Sequence, residues 1–70
     1  MTNKDLLQEV QKNSGISIAF IARRLDCSRN RVYHILDGAE CTASEIVALS
    51  DLFHLTKPQR DKIFLTDNVN

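Results

Sequence analysis

Apolar residues recur along this chain at helical spacing, in five short blocks separated by cap-forming residues. Leu6, Leu7 and Val10 make the stripe of a first helix over about residues 3–13, which Asn13, Ser14 and Gly15 stop. Thr2 followed by Asp5 has the spacing of a capping box, with aspartate in place of glutamate, and predicts a cap at Thr2. Ser17 is placed to cap a second helix, residues 18–25, with Ile18, Ile21, Ala22 and Leu25 on its apolar face. Ser28 is placed to cap a third, residues 29–36, whose inner face is Val32, Ile35 and Leu36. Asp37 and Gly38 end it, the glycine suiting a left-handed position.

The last two helices carry fuller start signals. Thr42 with Glu45 is a complete capping box, and Ile46, Leu49, Leu52 and Phe53 follow, predicting a helix over residues 43–54. Thr56 with Gln59 repeats the device, with Pro58 in the first turn, for a helix over residues 57–65 and a tail at 66–70. The expected fold is all-α: one compact five-helix domain spanning residues 1–70.

Composition narrows the function. Seventy residues form one domain at most, without room for the repeated βαβ units of a dinucleotide fold. Two glycines and one proline are too few for the turns of an all-β protein. No apolar run approaches the roughly 18 residues of a membrane span, and the start MTNKDLLQEV lacks the apolar stretch of a secretory signal. Cys27 and Cys41 are expected to be reduced thiols in a cytoplasmic protein, since small secreted domains usually carry several bridges. Cys27, His34, Cys41 and His54 are separated by six, six and twelve residues, without the close pair of a zinc site. No metal, cofactor or small-molecule substrate is expected. A bundle this small offers little cleft for catalysis, so an enzyme is not expected.

The informative stretch is SIAFIARRLDCSRNRVYHILDG, residues 17–38. Two eight-residue helices are joined by only Asp26, Cys27 and Ser28, a connection that forces a steep crossing. Ile21, Leu25, Val32 and Ile35 supply the shared core, and Ala22 is small where the helices approach closely. Asp26 is expected to take the left-handed conformation at the turn. This segment resembles the helix-turn-helix of the lambdoid phage repressors and Cro proteins, the XRE-like family. The similarity extends over about residues 4–65, through Asp37–Gly38 and the capped fourth helix. It implies a five-helix domain of a kind that often binds operator DNA as a dimer. The chain departs from the family pattern in having Ile18 where many members carry glutamine, and Asp26 at the turn glycine.

The exposed side of the third helix can be read from residue chemistry alone. Taking away the inner residues leaves Arg29, Asn30, Arg31, Tyr33 and His34. Arginine suits guanine O6/N7 and asparagine suits adenine N6/N7, and recognition helices offer their N-terminal residues to bases. Arg29 and Asn30 are therefore base-contact candidates, with His34 one turn on facing a base or a phosphate. The resemblance implies base contacts at the same three positions. Arg23, Arg24 and Arg31 are candidate phosphate contacts, with Ser17 and Ser28 adding contacts at helix N-termini. Tyr33 is a candidate auxiliary contact, expected at the rim or against the fourth helix.

Net charge is zero, with nine basic and nine acidic side chains, but residues 17–38 hold four arginines against two aspartates. Such a pattern predicts modest, salt-dependent affinity per subunit, and a homodimer on double-stranded DNA would double the set of contacts. The last helix leaves two alternatives. Ile63 and Phe64 close the core against Leu6 and Val10, or Phe64, Leu65 and Val69 form an exposed strip for self-association. The leading expectation is a sequence-specific transcriptional regulator of small repressor or Cro-like type. The rival is a protein-interaction module, an antirepressor or adaptor, that keeps the fold without specific DNA binding.

Overall fold

The computed structural model describes residues 2–65. They form five helices: α1 (Lys4–Ser14), α2 (Ile18–Leu25), α3 (Arg29–Leu36), α4 (Ala43–Leu52) and α5 (Lys57–Phe64), with no strand among the described residues. Each helix begins on a side chain that accepts a backbone N–H. Ser17, Ser28, Thr42 and Thr56 do so at the positions the sequence predicts, the last two within reciprocal capping boxes.

The cap of α1 differs from expectation. It is Asn3, whose Oδ1 accepts from Leu6 N at 3.2 Å. Thr2 is instead buried, and its hydroxyl donates to the Ala39 carbonyl at 2.8 Å. The backbone N–H of Asn3 donates to Ile63 O at 2.6 Å. Residues ahead of α1 therefore tie it both to the loop after α3 and to α5.

At the other ends, Gly15 closes α1 in the left-handed region (φ 72°). Helix α4 stops at Leu52, two residues earlier than expected. His54 takes φ 54° there, while His54 N donates to Asp51 O and Leu55 N to Ser50 O. Those bonds satisfy carbonyls of the last turn that a continued helix would have used. Gly38 also takes a positive φ, 102°, as the sequence predicts.

The core consists of Leu7, Ile21, Ala22, Val32, Ile35, Leu49, Ile63 and Phe64. Helix α2 is central to it, with α3 and α4 both packed on it, while α1 packs on α3 and α5. Phe64 is only 5% exposed, so it belongs to this core and not to a surface strip. Leu65, at 44% exposure, stays on the surface, and Val69 lies outside the described residues, as does the predicted tail. No helix among the described residues is long and apolar enough to cross a membrane.

Candidate nucleic-acid interface

The corner between α2 and α3 is built from backbone geometry that the sequence permits. Asp26 sits at φ 57°, ψ 48°, and its N–H donates to carbonyls of the last turn of α2. Cys27 N then donates to Ala22 O at 3.0 Å, closing the turn. Aspartate is one of the few residues other than glycine that visits this region at tolerable strain. Ser28 follows directly as the cap of α3, its Oγ accepting from Arg31 N at 3.1 Å. Ile21 and Ala22 on α2 bury against Val32 and Ile35 on α3, which fixes the face that α3 turns outward.

That outward face is Arg29, Asn30, Tyr33 and His34, all exposed. Their i, i+1, i+4, i+5 spacing puts the four on one contiguous strip, with Arg29 and Asn30 in the first turn. Arg29 has no ion-pair or hydrogen-bond partner for its guanidinium among the described residues, and neither has Arg23. Arg24 reaches across to Asp51 on α4 at 3.1 Å, but both side chains are well exposed. Such a pair contributes little and is exchangeable for another anion. The Ser17 and Ser28 hydroxyls each give a lone pair to their cap and keep the proton free to donate.

Arg31 and Tyr33 are placed differently from the other candidates on α3. Arg31 was expected as a phosphate contact, yet its guanidinium is engaged inside the protein. Nε donates to Glu45 Oε2 at 3.0 Å and Nη2 to Glu45 Oε1 at 2.8 Å, with a further bond from Nη2 to Glu40 O at 2.9 Å. The hydrogen bonds from Arg31 hold the Glu45 carboxyl below the usual glutamate range, against the opposing effect of burial. Tyr33, expected at the rim or against the fourth helix, stands at the rim on the α1 side. It is 56% exposed and lines a shallow groove with Gln8, Lys12 and His34.

Several participants carried no sequence signal. Gln8 on α1 donates from Nε2 to Leu36 O at 2.7 Å, satisfying a carbonyl at the C-terminal end of α3. Lys4 stands 3.8 Å from Asp37 and offsets an acid next to the basic face. Phe20 remains 43% exposed on α2, on the turn after Ser17. The thiols of Cys27 and Cys41 are both pushed up by burial, which keeps them protonated and poorly nucleophilic. No group of three or more His, Cys, Asp or Glu side chains among the described residues is placed to hold a metal ion.

A family model for a helix-turn-helix domain matches residues 5–63, which covers all of α2, the turn, α3 and α4 and most of α1 and α5. The chain belongs to the helix-turn-helix domain family. No significant match is found among characterised proteins or among solved structures. The family agrees with the resemblance carried by residues 17–38, and it points to a DNA-binding regulator. Within this helix-turn-helix domain, α3 stands at the position of the recognition helix, and α2 at that of the helix that crosses the DNA backbone.

Proposed function

We propose that this helix-turn-helix protein is a sequence-specific transcriptional regulator of small repressor or Cro-like type, acting in the cytoplasm as a homodimer on a pseudo-palindromic operator. The observation that carries this is the strip of Arg29, Asn30 and His34: exposed, in the first two turns of α3, and with no partner for the Arg29 guanidinium among the described residues. Arg29 is assigned to guanine and Asn30 to adenine, with His34 reading a base or holding a phosphate one turn later. Arg23 and Arg24, in the last turn of α2, are assigned to phosphates, and Ser17 and Ser28 support them at the two helix N-termini. Arg31 is left out of the phosphate set because Glu45 already holds it. Tyr33 flanks the strip. Of the self-association strip, Leu65 is the described residue that stays exposed and is retained as a dimer contact.

The test is selection from a random-sequence duplex library at two salt concentrations. Enrichment of a two-fold-symmetric site with half-sites about one helical turn apart, roughly 34–36 Å, is the expected result. An asymmetric half-site would keep the DNA function and remove the dimer. Absence of enrichment at low salt, where phosphate contacts hold best, would transfer the assignment to a protein-interaction module. Exposed Phe20 together with half-buried Ile18 on α2 is the feature that favours that second reading.

A further inference from the structure

Arg31 is half-buried and departs from the exposed α3 residues. Its side chain runs to α4, where the two arms of the guanidinium meet both oxygens of one carboxylate. The same Glu45 Oε1 accepts from Thr42 N at 2.8 Å, within the capping box that starts α4. The Glu40 carbonyl, in the intervening loop, takes a third bond from Arg31. One ion pair thus joins the first turn of α3, the connecting loop and the start of α4. Its side chains are 32% and 13% exposed, against 43% and 74% for Arg24 and Asp51, so water competes for it much less.

The placement matters because α3 and α4 pack on α2 and not on each other. The Arg31–Glu45 fork is the hydrogen-bonded side-chain link between the two helices among the described residues. The opposite end of α3 is held separately, by Gln8 on the Leu36 carbonyl. An eight-residue helix is about 12 Å long, so a tilt of about 10° pivoting at that end displaces the other by about 2 Å. A displacement of that size takes a donor out of hydrogen-bond range. The end that would move carries Arg29 and Asn30.

We propose that Arg31 and Glu45 are positioning residues of the recognition helix. The fork holds the N-terminal end of α3 at the angle from which Arg29 and Asn30 address base edges, and Arg31 itself stays off the DNA. The inference rests on the DNA-reading function proposed above. The role requires arginine, since lysine supplies the charge without the two-armed geometry.

Two variants test it, each first shown to fold by its helical circular dichroism and melting curve. Glu45→Gln keeps an oxygen for Thr42 N and removes the charge; Arg31→Lys keeps the charge and removes the fork. The readouts are affinity for the duplex enriched by wild type against a scrambled duplex, and residual dipolar couplings of α3 amides relative to α4 in the free protein. In both variants the affinity ratio is expected to fall about tenfold, with changed couplings across α3. The proposal is overturned if Glu45→Gln binds both duplexes more tightly with a steeper salt dependence while Arg31→Lys behaves as wild type. Arg31 would then be a phosphate ligand that Glu45 competes for. Unchanged couplings in both variants overturn it equally. If wild type enriches no duplex, the DNA reading fails on its own, and the couplings still uphold or overturn the fork as the holder of α3.

Discussion

The hydroxyl of Thr2 donates to the carbonyl of Ala39 at 2.8 Å, pinning the residues ahead of α1 to the loop that follows α3. Thr2 is 5% exposed, so the bond is shielded from water. Its loss leaves a carbonyl to find another donor in a confined place. Thr2→Val keeps the shape and removes the donor, and is expected to cost about 1 kcal/mol. For a domain of this size that lowers Tm by about 4–8 °C. An unchanged melting temperature would show that Ala39 is satisfied without Thr2.

The same residue shows where local pattern stops being informative. Thr2 and Asn3 are both good caps, and Asp5 three residues after Thr2 favours Thr2. What decides between them is Ala39, 37 positions away, a contact invisible to any short window. Thr42 and Thr56 have no such long-range claim on their hydroxyls, and both begin their helices as predicted. The exposure of Arg29, Asn30 and His34 was legible because periodicity removes Val32 and Ile35 from the surface and leaves those three on it. The pairing of Arg31 was hidden for a related reason. Its partner Glu45 was already accounted for as a cap, and one carboxylate serving both roles is a matter of three-dimensional packing.

Asp26 holds a left-handed conformation that costs an aspartate more than a glycine. The side chain is exposed, and no hydrogen bond or ion pair engages it among the described residues, so its removal forfeits little. Asp26→Gly relieves the strain but adds freedom to the unfolded chain, for an expected net gain of about 0.5 kcal/mol. Asp26→Ala keeps the strain at a residue that visits the left-handed region less readily than aspartate, and is expected to lose about 0.5 kcal/mol. Denaturant midpoints should rank glycine above aspartate above alanine. A glycine variant below wild type would mean that the aspartate side chain itself stabilises the turn.

Acid should weaken the domain through Glu45. Hydrogen bonding from Arg31 lowers its folded-state pKa, with Thr42 N adding to the effect. A carboxyl lowered on folding stabilises fully above its unfolded value, about 4.3, and that contribution is lost as pH falls through the lower folded value. Arg31, shifted upward by the same bond, stays charged throughout this range. Urea unfolding at about pH 6 and then below about pH 4 should therefore show falling stability in wild type and a flatter limb in Glu45→Gln. Equal slopes in the two proteins would locate the acid sensitivity in other carboxylates.

Arg23 and Arg29 look alike by exposure and by their unpaired guanidinium groups among the described residues, yet the proposed function gives them different work. Arg23, in the last turn of α2, is assigned to a phosphate, which carries no sequence information. Arg23→Ala should then weaken the enriched and the scrambled duplex alike, and reduce the slope of log affinity against log salt by about one. Arg29, in the first turn of α3, is assigned to guanine. Arg29→Ala should cost about 1–3 kcal/mol on the enriched site alone and relax preference at a single base pair. Measuring both variants on both duplexes over a salt series separates the roles. If Arg29→Ala instead weakens every duplex equally and flattens the salt slope, Arg29 is a phosphate ligand. Base reading would then rest on Asn30 and His34.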